Sequence, residues 1–375
     1  LLLVESTAAG QRYRYLETVR AIADERCNDA VGHDDVMELL CSRMVEFAEV
    51  CSRGLCTADQ EIWARRLDAE LPNLRRSVDW AADRERDDLV VDLLAPFGDT
   101  AFVGSDRVGG WAVEATGRIA GLDRLPRGSR VLSLAAAYDV FASGPVSASR
   151  LSERAIDAWD PEADPTPVEL TVHHSIIGLL ADRLPEAIDV AARAVEVAES
   201  VGDPVTLVPS LCGWTLWSNA SRQTDGVDDA SRRALDVATA HGNPSIIAAA
   251  SYVRGVLLRP TDPEAALEIV LRGVSVARGV ASPATWETLE VEVCANLVAL
   301  GRVESLLERA AESLPRLSGE ACRLEVLLAV CPALIDAGLA ELAARILGRL
   351  PGPARVETLY QDMYDTARTA VSRVV

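Results

Sequence analysis

The apolar residues of this chain recur at helical spacing. Ala187, Ile188, Ala191, Ala194, Val195 and Ala198 are separated by steps of one, three and four, as on a helix with one buried face. Val227, Ala230, Ala234, Leu235 and Ala238 repeat the stripe, and Ala266, Leu267, Val270, Val274 and Ala277 repeat it again. A second apolar segment precedes each stripe, at about 168–181, 205–220 and 245–258, and a further one follows at about 284–300. Runs of that length exceed the four to eight residues of ordinary strands and predict helices. The alanines let neighbouring helices approach closely.

The junctions between these helices are periodic. Asp164-Pro165, Asp203-Pro204, Asn243-Pro244 and Ser282-Pro283 follow one another at steps of 39, 40 and 39 residues, and a looser copy, Leu125-Pro126, lies 39 residues before Pro165. Asp, Asn or Ser can accept from the unpaired amides that open a helix, and Pro fits its first position because its missing N–H would have no partner there. Gly202 and Gly242 stand just before two of the junctions, where a left-handed residue closes the preceding helix. The expected fold class is all-α: an α-solenoid of helix pairs with a period of about 39–40 residues, preceded by a short N-terminal β-hairpin.

The hairpin is read from Leu1-Leu2-Leu3-Val4-Glu5 and Arg12-Tyr13-Arg14-Tyr15-Leu16, joined through Ala8-Ala9-Gly10. Beyond it, Val36, Leu39, Leu40, Met44, Phe47, Ala48 and Cys51 predict one amphipathic helix. Asp59 is placed to cap a second, carrying Ile62, Trp63, Leu67 and Leu71, and Pro72 is expected to start a new turn. Trp63 and Trp80 are expected in the core. Four regions follow: 1–27, the hairpin and a helix; 28–110, a helical bridge; 111–353, the helical repeats; and 354–375, a C-terminal capping helix.

Two stretches carry a family resemblance. Gln11-Arg12-Tyr13-Arg14-Tyr15-Leu16-Glu17-Thr18-Val19-Arg20-Ala21-Ile22-Ala23-Asp24-Glu25-Arg26, followed by Trp63-Ala64-Arg65-Arg66-Leu67-Asp68-Ala69-Glu70-Leu71-Pro72-Asn73-Leu74-Arg75-Arg76-Ser77-Val78-Asp79-Trp80-Ala81, resembles a region of large actinobacterial transcription regulators of the signal-transduction ATPase class. The helix pairs, with copies such as Pro185-Glu186-Ala187-Ile188 and Pro263-Glu264-Ala265-Ala266, resemble the longer tetratricopeptide-like repeats of such regulators. The resemblance implies an ATPase core and a winged helix ahead of the repeats, with a LuxR-type DNA-binding domain or a class III nucleotide cyclase in some members. On that reading the hairpin is the end of the winged helix, and the chain is the C-terminal part of a larger regulator.

Composition narrows the possibilities. The 375 residues contain 57 acidic and 37 basic side chains, a formal charge of −20, and every basic one is arginine. A surface so acidic is ill suited to displacing counterions from nucleic acid, so no direct nucleic-acid contact is expected. Without lysine there is no phosphate-binding loop of the GxxxxGK[ST] type. No apolar run approaches a membrane span, and a cytoplasmic location is expected. The eight cysteines are expected as buried free thiols, Cys41, Cys212, Cys294, Cys322 and Cys331 among them, with Cys51 and Cys56 a poor match to paired zinc ligands.

No catalytic residue, cofactor or metal site is expected. His173 and His174 are adjacent on a helix and point about 100° apart, and no nucleophile elbow accompanies them. The expected function is that of a regulatory sensor and protein-interaction domain, with a small effector or protein partner docking on the superhelix and biasing the ATPase core. Pure scaffolding or homo-oligomerisation is the alternative. The candidate groove residues lie on the first helices of successive repeats: His173, His174, Trp214, Trp217, Asn219, Tyr252, Arg254 and Trp286. Aromatic and arginine side chains recur at recognition hot spots. The competing reading is that the tryptophans fill the core between repeats.

Overall fold

The structure is a computed structural model that describes residues 2–7, 10–15, 32–103, 107–278, 283–317, 320–336 and 338–348, with a few isolated positions outside these stretches. The predicted capping helix, the helix after the hairpin and Ser282 of the fourth junction lie outside the described residues. Strands β1 (Leu2–Thr7) and β2 (Gly10–Tyr15) pair antiparallel, from Leu2 opposite Tyr15 to Thr7 opposite Gly10.

Sixteen α-helices follow among the described residues. The bridge comprises α1 (His33–Leu55), α2 (Gln60–Asp83) and α3 (Asp87–Leu94), and a single helix, α4 (Gly109–Arg118), follows it. Six helix pairs come next: α5 (Gly128–Ala142) with α6 (Pro145–Ala158), α7 (Val168–Ile177) with α8 (Leu184–Val201), and α9 (Pro204–Ala220) with α10 (Val227–His241). They continue as α11 (Pro244–Leu258) with α12 (Pro263–Ala277), α13 (Pro283–Ala299) with α14 (Val303–Ser313), and α15 (Glu320–Asp336) with α16 (Ala340–Leu347). The all-α solenoid expected from the sequence is therefore observed.

The two helices of a pair differ in kind. The first helices touch one another along the array, α5 to α7 to α9 to α11 to α13 to α15, while each second helix packs mainly between its neighbours in the chain. The first helices are buried on nearly every side, as in α9, where Val205 to Gly213 are all buried. Second helices keep an alanine stripe inside, as with Ala187, Ala191, Ala194 and Ala198 of α8, each 0% exposed. Helices apolar all round belong inside and amphipathic ones outside, so each layer's position follows from its sequence pattern.

The junction chemistry holds where it was simplest. Asp203 accepts from the Val205 and Thr206 amides, and Asn243 from those of Ser245 and Ile246. Such caps contribute about 1 kcal/mol each. Gly202 and Gly242 close the preceding helices at φ 69° and 84°. Asp164 differs: α7 begins four residues later, at Val168, because the Asp164 carboxylate is drawn to Arg130 and Thr166. Leu125-Pro126 likewise precedes α5 without capping it, the cap position being Arg127.

Three features of the bridge differ from expectation. The buried face of α1 is Met37, Cys41, Met44, Ala48, Cys51 and Leu55, whereas Val36 and Leu39 are 58% and 63% exposed. The helix offers apolar residues on two faces, and packing against α2 selects one. Helix α2 runs unbroken through Pro72; Pro72 lies on the exposed side, where the freed carbonyl of the preceding turn can bond water. Asp59 occupies the cap position of α2 without a capping bond from its side chain.

The bridge and the first repeats share one hydrophobic core, which runs from Met37 to Val256. The turn between α1 and α2 meets the start of α11: Asn243 Nδ2 donates to the Leu55 and Thr57 carbonyls, both at 2.9 Å, and Gln60 Nε2 donates to Ser245 Oγ at 2.7 Å. A second core begins with Ala248 and Leu267 and runs to Ala343. Tyr252 is packed against both.

Candidate ligand and partner surface on the repeats

The first helices carry every side chain singled out from the sequence, and the structure separates them into distinct settings. His173 is 4% exposed, with Nδ1 2.9 Å from Ser152 Oγ on α6 and Nε2 3.8 Å from Glu186 Oε1 on α8. Burial lowers its pKa, the nearby Arg183 adds to that, and Glu186 opposes it. His174 points elsewhere, as neighbours on a helix must. It is fully buried against Gly213 of α9, where a Cβ would stand no more than 2.5 Å from the imidazole.

Burial drives the His174 pKa down to about 3. A depressed histidine stabilises the fold above its unfolded value of 6.5 and loses that contribution as pH falls towards 3. We therefore expect wild type to lose stability relative to His174→Gln by about 1.4 kcal/mol per pH unit below 6.5, read from urea midpoints between pH 7 and pH 5.

Trp217, 6% exposed, lies over Gly178 at the end of α7, and its ring meets the same Gly213 that His174 contacts. These two candidates are therefore brought together, inside the stack. Arg254 turns from α11 towards α10, forming an ion pair with Asp228 and donating to Ser231 Oγ at 2.8 Å. Trp214, Asn219, Tyr252 and Trp286 are half-buried. With Arg254, they are the candidates that keep surface for a partner, on α9, α11 and α13.

The thiols have separate engagements. Cys41, Cys51 and Cys56 each lie 3.8 Å from a different carbonyl, those of Ser77, Trp63 and Asp99. Burial pushes the Cys51 pKa up to about 12. Among the described residues no three His, Cys, Asp or Glu side chains gather as metal ligands, and no helix is long and apolar enough to cross a membrane.

Sequence reasoning did not find the buried charge. Arg130 of α5, 1% exposed, reaches Glu169 at 2.7 Å, Asp164 at 2.6 Å, Asp99 at 3.2 Å and the Thr166 carbonyl at 3.1 Å. On α13, Glu290 holds Arg309 of α14 through two 2.7 Å bonds, and Glu292 holds Arg259 at 2.8 Å. Burial pushes Glu169 and Glu292 up to about 7 against the pull of their arginines. Nothing in local spacing distinguishes these residues from the many exposed Arg and Glu side chains of the chain.

A row of stacked helix pairs of this kind is an α-solenoid of tetratricopeptide-like helix pairs. Such a fold is similar to that in the crystal structure of Rap protein complexed with competence and sporulation factor, with a TM-score of 0.57 over 89% of this chain and 97% of that one. Identity is 11%, so the likeness is one of fold. No protein-family model matches the chain, and no curated protein matches its sequence.

Proposed function

We propose that the chain is the sensor and interaction arm of a cytoplasmic transcriptional regulator of the signal-transduction ATPase class. An effector or protein partner docks on the repeat surface and biases an ATPase core elsewhere in a longer protein. The observation that carries this reading is the continuous row of first helices from α5 to α15, with Trp214, Asn219, Tyr252 and Trp286 half-buried along it. The two sequence stretches resembling such regulators support it, as does the similar fold of Rap protein, which was solved with a bound factor. In this reading 1–27 is the end of a winged helix, 28–110 the bridge, 111–353 the repeats and 354–375 their cap.

Differential binding to two packings of the repeats would supply the switch. The direct test is a thermal-shift screen of metabolites against the full chain, followed by Trp214→Ala, Tyr252→Ala and Trp286→Ala. A ligand at a hundred times its Kd adds about 2.7 kcal/mol of stability. We expect that gain to disappear in at least two of the variants while their circular dichroism is unchanged. A ligand whose gain survives all three substitutions would remove this surface from the account.

One observation favours the second reading, a scaffold that assembles with itself. Phe141 and Val146, flanking the turn between α5 and α6, are 75% and 61% exposed, and apolar surface of this kind is covered when a protein associates with itself. Concentration-dependent oligomers abolished by Phe141→Ser, with no ligand found in the screen, would favour it.

A further inference from the structure

A cavity of about 360 Å³ opens between α2, α3 and α4. That volume is in the range of small-ligand sites. Its floor is apolar: Val78, Val90, Ala115 and Ile119 are each at most 6% exposed. Trp111 forms part of the wall, and the remaining lining bears four carboxylates, Asp79, Glu85, Asp87 and Glu114, against one arginine, Arg118.

This frame already accepts one guanidinium. Arg75 pairs with Asp79 and Glu114, both at 2.9 Å, and its Cζ lies 5.5 Å from the centre of the Trp111 ring. Other arginines beside the cavity are committed outside it: Arg84 to Asp34 and the Trp80 face, Arg86 to Asp88 and Glu38. Glu85 and Asp87 are left without an ion-pair partner among the described residues. Glu85 also occupies a left-handed backbone position, φ 55°, where Gly or Asn would hold the turn at lower cost.

We propose that this cavity binds an organic cation, a guanidinium or primary ammonium on a short apolar body. The body covers Val78, Val90 and Ile119 beside Trp111, and the charge is met by Glu85 and Asp87. An aromatic wall attracts a cation through its ring face, and the half-buried Asp87 stands at the rim with the exposed Glu85. A neutral molecule of the same shape lacks both contributions, and an anion meets a net negative rim. The same chemistry is offered by a free amine or guanidine and by an arginine side chain in a partner segment.

The test uses the full chain with phenethylamine and phenylguanidine as free probes, an acetylated Ala-Arg-Ala amide as the side-chain probe, and phenethyl alcohol as the neutral control. Binding is followed by chemical-shift changes of the indole N–H resonances, with Trp111 assigned from Trp111→Phe. We expect at least one cationic probe to bind ten-fold or more tightly than the alcohol, with affinity falling as salt rises. Glu85→Gly with Asp87→Asn should weaken it at least ten-fold, and Arg118→Ala should tighten it several-fold. Because Glu85→Gly relieves a left-handed residue, the urea midpoint of that single variant should rise, which separates loss of binding from loss of fold. Preference for the free probes assigns the site to a small molecule, and preference for the peptide to a partner's arginine. Absence of binding at 20 mM of every cation, equal binding of the alcohol, or undiminished affinity in the double variant would overturn the proposal.

Discussion

Replacing Arg130 by alanine is expected to cost about 3–5 kcal/mol of folding stability, the range for breaking a buried ion pair from one side. Arg130 is 1% exposed and Glu169 0%. The guanidinium joins the 3-10 turn at Asp99, helix α5, the 164–166 loop and helix α7. Its loss strands a buried carboxylate, and one oxygen of Glu169 already lacks a hydrogen-bond partner.

The pH dependence follows from the same group. Glu169 has its folded pKa raised to about 7, by burial first, with Arg130 opposing. A raised carboxylate stabilises the fold most below its unfolded value, and that stability is lost as pH rises through the folded value. Without Arg130 the folded value climbs further, so loss continues at pH values where wild type has levelled off. The deficit of Arg130→Ala should therefore be larger at pH 8 than at pH 5, by urea denaturation at both. Pairing Arg130→Met with Glu169→Leu should recover much of the loss, because apolar groups of similar size can replace a buried pair. A deficit independent of pH would mean that Arg130 acts through its packing alone.

The repeats were legible because their determinants are local. An Asp-Pro or Asn-Pro pair at a helix start, a glycine at the end before it, and alanines every three or four residues act over a single turn, and their recurrence gives the period. What was not legible is what joins distant segments. Gln60 meets Ser245 and Asn243 meets Leu55 across more than 180 residues, and no feature of either segment announces the other. Asp164 shows the two kinds of determinant in competition: its sequence context is that of a cap, and Arg130, 34 residues away, takes its carboxylate instead. For α1 the difficulty is different. Apolar residues on both faces satisfy the same periodicity, and only the partner helix decides which is buried.

The same distinction governs the candidate site, where spacing placed eight side chains on the first helices and left open whether the tryptophans bind or pack. For Trp217 the packing answer can be tested directly. A Cβ at Gly178 would stand no more than 2.5 Å from three atoms of the Trp217 indole, so Gly178→Ala must displace a ring that is 6% exposed. Overpacking of this kind costs about 1–3 kcal/mol, and Trp217→Leu alone leaves a cavity costing up to about 3–5 kcal/mol. If the ring is held only by that close approach, the two changes relieve one another: the added methyl occupies space that the shorter side chain vacates. The double variant should then lose at least 1 kcal/mol less than the sum of the singles, the size of coupling found for residues in contact. Guanidinium midpoints of the four proteins measure it. Additive losses would mean that the buried Trp217 ring is held by contacts other than its close approach to Gly178.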